Sequence, residues 1–316
     1  MDEINLAVQY IKEKLPSLEI RYNEPFSKHT TFKIGGPVSV MLFPESTECT
    51  SEICNILYKH KLTPFIIGNG SNILASDNNH ELIIINTSKL SGMALIDYAG
   101  AGVSEENPEN YRYISADAGV LLSALAEFAC DSGLSGLEFA HGIPGTTGGA
   151  VVMNAGAYGG EMKDVVIETT VFCSSCGVTE LTEADNDFSY RHSRFSDCDD
   201  VLLSAVFKLR NEDSKVIRHK INDLNSRRQK SQPLDTASGG SIFKRPKEGY
   251  AAALIEQSGL KGYKIGGAQV SEKHSGFIVN NGNATFDDVI TLIEHVREVV
   301  HNNTGTLLEP EIKIVR

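Results

Sequence analysis

The chain has 316 residues, 41% of them hydrophobic, with no tryptophan and a formal net charge of −12 at neutral pH. That length supports two or three domains with cores of their own, and the acidic balance argues against a nucleic-acid or anionic-membrane partner. It does not exclude an anionic small-molecule substrate, because local basic residues can override the global sign.

The first predicted element is a helix in which Ile4, Val8, Ile11 and Leu15 share one face, with acidic residues at its start and Pro16 at its end. It lacks the composition of a signal peptide. No apolar run approaches the roughly 18 residues of a membrane span, so a cytoplasmic location without membrane insertion is expected. A strand near 38–43 and a helix near 47–60 follow. The run Phe65-Ile66-Ile67 predicts a short buried strand that delivers Gly68-Asn69-Gly70-Ser71-Asn72. Small residues after a strand leave several backbone N–H groups unobstructed, and such arrays bind phosphate oxygens. Ser71 and Asn72 add side-chain donors. The loop is neither a G-x-G-x-x-G fingerprint, since Ile73 and another strand follow, nor a Walker A loop, since the lysine is missing.

Strands are predicted near 82–86 and 111–116, and a helix over 120–132 that Gly133 stops. The stretch from His141 to Glu161, HGIPGTTGGAVVMNAGAYGGE, then places seven glycines in one run. Glycine loses the most conformational freedom on folding. Interleaved with Ile143, Pro144, Val151, Val152, Met153 and Tyr158, this is not the Gly/Ser composition of a tether; ordered backbone around a large ligand, or a set of tight turns, explains it. Strands near 165–173 and 201–209 come next. A charged helix over 213–229, a helix over 250–258 capped by Gly259, a strand at 276–280, a helix opened by the box Thr285-Phe-Asp-Asp288 and running to His301, and a last strand complete the chain. Mixed helix and strand without regular βαβ alternation predicts an α+β fold.

Of the six cysteines, Cys173 and Cys176 have the spacing of half a zinc site, with His192 and Cys198 downstream. A second close pair is missing, so no metal is expected and reduced, inert thiols are the default. Three short segments carry candidate chemistry: Tyr190-Arg191-His192-Ser193, Gly239-Gly240-Ser241-Ile242-Phe243-Lys244-Arg245-Pro246, and Leu308-Glu309-Pro310-Glu311-Ile312. On its own, an arginine such as Arg191 is more often a solvated surface residue than a ligand. Ser241 is equally a turn residue or an active-site hydroxyl, and G-x-S-x-G is excluded by Phe243. On a strand Glu309 and Glu311 would point the same way, and taken alone they read as two exposed acids on a terminal strand.

Taken together, IGNGSNIL, HGIPGTTGGAVVMNAGAYGGE, YRHSRF, GGSIFKRP, GAQVSEKHSGFIVN and LEPEIKI resemble the UDP-N-acetylmuramate dehydrogenase family, also called UDP-N-acetylenolpyruvoylglucosamine reductase, from about Thr30 to Ile314. The short interval between Arg191 and Ser241 resembles the family's compact branch, without its extra tyrosine loop. The resemblance implies a vanillyl-alcohol-oxidase-like FAD-binding fold of two subdomains, 1–75 and 76–210, and an α/β substrate-binding domain, 211–316, whose last strand completes the active site. It implies non-covalent FAD, NADPH as reductant, and reduction of UDP-N-acetylglucosamine enolpyruvate by a monomer in peptidoglycan precursor synthesis. By the same resemblance Asn69, Gly70, Ser71 and Asn72 hold the FAD diphosphate. Gly145, Thr146, Gly148, Gly149, Asn154, Ala155 and Gly156 surround the rest of the cofactor. Arg191 activates the substrate, Ser241 donates the proton and Glu311 is the catalytic glutamate. Lys230, Gln232 and Lys244, with Arg227 or Arg228, are candidate substrate ligands for which solvated surface is the alternative. Beside the serine, Ala237 and Gly239 stand where the family pattern has Pro and Ala.

Overall fold

A computed structural model describes residues 3–98 and 110–316. The chain divides into two compact units: Met1–Arg21, Met41–Asn69 and Ile83–Ser226 form one, and Tyr22–Val40, Gly70–Leu82 and Arg227–Arg316 the other. Both mix helix and strand, as the α+β expectation requires.

In the first unit the helix Glu3–Lys14 buries Ala7, Val8 and Ile11. The helix Thr47–Lys59 starts where the Ser46 side chain accepts the Cys49 N–H at 3.1 Å, a cap that satisfies one of the orphan donors of a helix start. The strand Phe65–Ile67 lies parallel to Ile84, Ile85 and Asn86. A larger antiparallel sheet runs Gly177–Thr182, Val166–Cys173, Val201–Asn211, Tyr111–Asp117, Met93–Ile96. Helices Leu122–Asp131 and Thr147–Val152 contribute Leu122, Leu125, Ala129 and Val151 to one core with Ile114, Phe207 and Leu209 of that sheet. The glycine-rich run is therefore partly helical, which its composition conceals.

The second unit has a four-stranded antiparallel sheet, in the order Ala237–Ser241, Phe277–Asn280, Ala268–Val270, Lys264–Ile265. Helices Ala251–Gln257 and Phe286–Thr304 pack over a core that includes Ile242, Ile255, Val270, Ile278, Leu292 and Val296. Lys313–Val315 pairs in parallel with Ile73–Ala75. Among the described residues no helix is long and apolar enough to cross a membrane.

The expected capping box is formed. Thr285 Oγ1 accepts the Asp288 N–H at 3.1 Å, and the Asp288 carboxylate accepts the N–H groups of Thr285 and Gly267, each at 3.0 Å. Those backbone donors, Thr285 first, hold the Asp288 carboxyl below its ordinary value. Its contribution is thus present above the ordinary carboxylate range and lost as pH falls through it. Thr285→Ala should lower stability by about 1 kcal/mol, read as a reduced denaturant midpoint at unchanged slope. An unchanged midpoint would remove the cap from any account of this helix.

Candidate active site

Within the first unit the short strand Phe65–Ile67 hands the chain to Gly68 and Asn69, and both meet the glycine-rich run. A Cβ at Gly68 would stand 2.2 Å from Thr146 Oγ1, and Asn69 Nδ2 donates to the Pro144 carbonyl at 2.8 Å. Thr146 caps the helix Thr147–Val152 through a 3.4 Å contact with the Gly149 N–H. Gly148 lies so close to Ala118 that a Cβ would sit 2.9 Å from its methyl group. Gly149 differs: a Cβ there would meet only Thr146 Oγ1, at 3.6 Å, and the residue is exposed. This run is close-packed on its inner side and open on its outer side, the form expected of backbone that a ligand approaches.

In the second unit Gly70 adopts φ +59°, and a Cβ would fall 2.0 Å from the His29 carbonyl oxygen. The loop is held through its carbonyls. Gly70 O accepts the Thr31 N–H at 3.2 Å and Asn72 O the Lys313 N–H at 3.0 Å. Among the described residues none of the N–H groups from Asn69 to Asn72 donates to a protein acceptor. Consecutive unspent donors in a glycine loop fit phosphate oxygens, so the residues present fit the diphosphate of a dinucleotide such as FAD.

Arg191 sits in a tight turn of the first unit. Ser189 and His192 exchange backbone bonds of 3.0 and 3.2 Å, and Arg191 takes φ +55°. The left-handed region costs a side-chain-bearing residue about 1–2 kcal/mol, so the surroundings must hold it there. Asn154 Nδ2 donates to the Ser189 carbonyl at 2.8 Å, Ser193 Oγ to the Val152 carbonyl at 2.7 Å, and His192 Nε2 lies 2.8 Å from Asp197. The Asp197 carboxylate raises the His192 pKa. Arg191 Nη2 donates to the Gly156 carbonyl at 3.0 Å, joining the expected substrate-activating arginine to the expected cofactor segment. Asn154 itself is fully buried. Its amide also donates to Glu161 at 3.0 Å, and its oxygen accepts the Lys163 N–H at 3.0 Å. Its side chain is committed to holding the Arg191 turn and the segment after it, a task that the sequence did not reveal; Ala155 and Gly156 continue that segment.

The segments that carry Ser241 and Glu311 pair in the second unit. Ile242 N–H donates to Gly276 O at 2.9 Å, Glu311 N–H to Ile242 O at 2.7 Å, and Lys244 N–H to Glu309 O at 2.9 Å. The Ser241 and Glu311 segments therefore run side by side, with Phe243 opposite Pro310. Ser241 Oγ has a weak 3.4 Å contact with the Phe243 carbonyl. The Asn72 amide donates to the Glu311 carbonyl at 3.2 Å, so one residue of the glycine loop also holds the segment that carries Glu311. The strand expected through LEPEI begins only at Lys313, because Pro310 has no N–H to give a ladder. Gly239 explains its own departure from the family pattern: a Cβ would lie 2.5 Å from Ile312 Cδ1 and 2.9 Å from Phe32 Cδ2.

His274, not singled out in the sequence, accepts the Gly276 N–H on Nδ1 at 3.2 Å, and burial holds its pKa down. A neutral ring thus supports the residue that pairs with Ile242. Of the candidate substrate ligands, Lys244 Nζ is 2.5 Å from Glu309 Oε1. Lys230 and Arg227 are exposed, Gln232 is half-buried, and Arg228 is buried. Among the described residues no group of three metal-ligating side chains is present.

Residues 232–315 match the family model of the UDP-N-acetylenolpyruvoylglucosamine reductase C-terminal domain, and residues 38–182 that of an FAD binding domain. The chain is 44% identical over 310 residues to the UDP-N-acetylenolpyruvoylglucosamine reductase of Caldanaerobacter subterraneus subsp. tengcongensis, covering 98% of both chains. It is 42% identical over 309 residues to that of Agathobacter rectalis, again over 98% of both. The crystal structure of UDP-N-acetylenolpyruvylglucosamine reductase (MurB) from Thermus caldophilus superimposes with a TM-score of 0.77 at 29% identity, over 95% of this chain and 99% of that one. Full-length identity of this degree, an FAD-binding domain and the family's own C-terminal domain place the chain in the UDP-N-acetylenolpyruvoylglucosamine reductase family.

Proposed function

We propose that this chain reduces UDP-N-acetylglucosamine enolpyruvate to UDP-N-acetylmuramate with NADPH and non-covalent FAD, as a cytoplasmic monomer supplying peptidoglycan precursors. The observation that carries the reading is the backbone bond from Glu311 N–H to Ile242 O, which lays the Glu311 segment beside the residue that follows Ser241. In this reading residues 1–75 and 76–210 are the cofactor-binding subdomains and 211–316 the substrate-binding domain. Asn69, Gly70, Ser71 and Asn72 hold the FAD diphosphate. Gly145, Thr146, Gly148, Gly149, Ala155 and Gly156 offer backbone to the rest of the cofactor, and Asn154 shapes that segment.

When bound, the flavin supplies hydride taken from NADPH to the methylene carbon of the enolpyruvyl group. The negative charge that develops beside the substrate carboxylate needs a cation and hydrogen-bond donors aimed at it. Arg191 offers the planar fork that pairs with a carboxylate through two parallel bonds, and the bond to Gly156 orients it. Ser241 gives its hydroxyl proton to the carboxylate-bearing carbon, next to the one that takes the hydride, where the charge develops. Its contact with the Phe243 carbonyl is long enough to be exchanged for substrate at little cost. Glu311 assists either as a protonated acid or by orienting another donor. Lys230, Gln232 and Lys244 bind the UDP portion, with Lys244 passing from Glu309 to phosphate.

Purified protein should be yellow, and acid or heat should release free FAD. NADPH oxidation should require the enolpyruvyl sugar nucleotide for multiple turnover. Colourless protein that FAD cannot reconstitute would sink the reading, whereas flavin retained on the denatured chain would overturn only its non-covalent part.

A further inference from the structure

The hairpin that joins Val166–Cys173 to Gly177–Thr182 carries two cysteines that the reaction above does not use. The ladder closes at the Cys173–Gly177 pair, and Gly177 turns the chain at φ +74°. Cys173 and Cys176 therefore project from a single turn at the end of a regular six-pair ladder. Cys176 is exposed and Cys173 partly so. Cys173 Sγ lies 3.1 Å from Ser175 Oγ. The remaining cysteines of this unit are differently placed. Cys54 and Cys130 are buried, Cys49 is half-buried, and Cys198 is exposed in another loop.

We propose that Cys173 and Cys176 form a redox-active dithiol that is oxidised by thiol–disulfide exchange with low-molecular-weight disulfides, Cys173 attacking and Cys176 resolving. The Cys173 thiolate attacks one sulfur of the small disulfide. That S–S bond breaks, and the departing thiolate takes a proton from water. Cys176 then loses its proton and attacks the Cys173 sulfur, closing the intramolecular disulfide and releasing the second small thiol. The cysteine pair loses two electrons and two protons, and one small disulfide becomes two thiols.

The order of attack follows from the turn. The Cys176 thiol, then the Ser175 hydroxyl and nearby backbone N–H groups, hydrogen-bond to the Cys173 sulfur and hold its pKa below the ordinary thiol value. The same thiol–thiol bond raises Cys176. The bond that stabilises one thiolate thus keeps the partner protonated until the mixed disulfide has formed. Burial pushes Cys54 up to about 12 and raises Cys49 and Cys130, so these thiols do not compete.

The test uses the flavin-loaded, reduced full chain and hydroxyethyl disulfide, an uncharged probe, at neutral pH with acid quenching and peptide mass spectrometry. The wild type should lose two hydrogens from the peptide holding both cysteines, without accumulating an adduct. Cys176→Ser should stop at a mixed disulfide on Cys173. Cys173→Ser should react at Cys176 more slowly than the wild type reacts at Cys173, because the lowered Cys173 pKa raises its thiolate fraction more than the Brønsted slope of about 0.5 lowers its nucleophilicity. Both variants should keep flavin absorbance and enolpyruvate reduction, which shows that the fold is intact. An adduct that accumulates on wild-type Cys173 or Cys176 without ring closure would overturn the proposal. So would first attack at Cys176, or reaction of Cys173 no faster than that of Cys198.

Discussion

Ser241→Ala should slow turnover with the enolpyruvyl substrate by roughly 10²–10⁴-fold, the range of a lost general acid, while NADPH reduces the bound flavin at close to its normal rate. The geometry makes this a clean substitution. The Ser241 turn is fixed by backbone bonds, Ile242 N–H to Gly276 O and Glu311 N–H to Ile242 O, and by the buried side chains of Ile242 and Phe243. None of these needs the serine hydroxyl, whose one hydrogen-bond partner among the described residues is the Phe243 carbonyl at 3.4 Å. Stability should therefore change little, and a stopped-flow comparison of the two half-reactions isolates the proton. Ser241→Cys, which keeps an ionisable proton at this place, should recover part of the loss. Equal slowing of both half-reactions would make Ser241 structural. Slowing of neither would move the proton to another donor, with Glu311→Gln the next variant to measure.

Arg191→Lys should cost roughly 10²-fold in kcat, comparable to removing one preorganised charge-stabilising donor, with flavin content unchanged. Lysine keeps the charge but loses the fork; it cannot hold the Gly156 carbonyl and a carboxylate at once in the arginine's plane. Arg191→Gly sharpens the test. Because Arg191 occupies φ +55°, glycine should relieve backbone strain of about 1 kcal/mol while removing the cation. Activity should collapse with a melting temperature that stays level or rises, the pattern of a residue whose conformation is retained for function at a cost in stability. Near-normal turnover of either variant would return Arg191 to the solvated surface.

Much of the architecture was legible where one face of an element is apolar. The helices Thr47–Lys59 and Phe286–Thr304 bury regularly spaced residues and carry side-chain caps, so periodicity and capping both point to them. The elements that escaped lack such a face. Gly177–Thr182 is an edge strand in which no residue is fully buried, and Glu19–Pro25 is mostly polar. Ala237–Ser241 consists of small residues with little strand preference. Thr147–Val152 has two glycines in its first turn, which disfavour a helix, and packing against Ala118 and the adjacent sheet, with the Thr146 cap, retains it. At the site, the motifs announced Arg191, Ser241 and the glycine loops. They named Asn154 and Ser193 but could not announce that these side chains, and that of His274, act on the backbone of other segments, because such partners are defined by distances in space.

The pairing of Ile73–Ala75 with Lys313–Val315 has a consequence for biosynthesis. Asn72 and Glu311, joined by a hydrogen bond, are separated by 239 positions, and each strand of this ladder has only three residues. A closure this long carries a large entropic cost for a small local gain. The ladder must then zip up late, after Ile242, Phe286 and Leu308 have gathered around Phe32 and Leu74. During translation the early segment leaves the ribosome long before its partner exists. A nascent or truncated chain ending before residue 309 exposes the Ile73–Ala75 edge and the apolar surface around Leu74, the kind of surface that chaperones bind and that pairs with other chains.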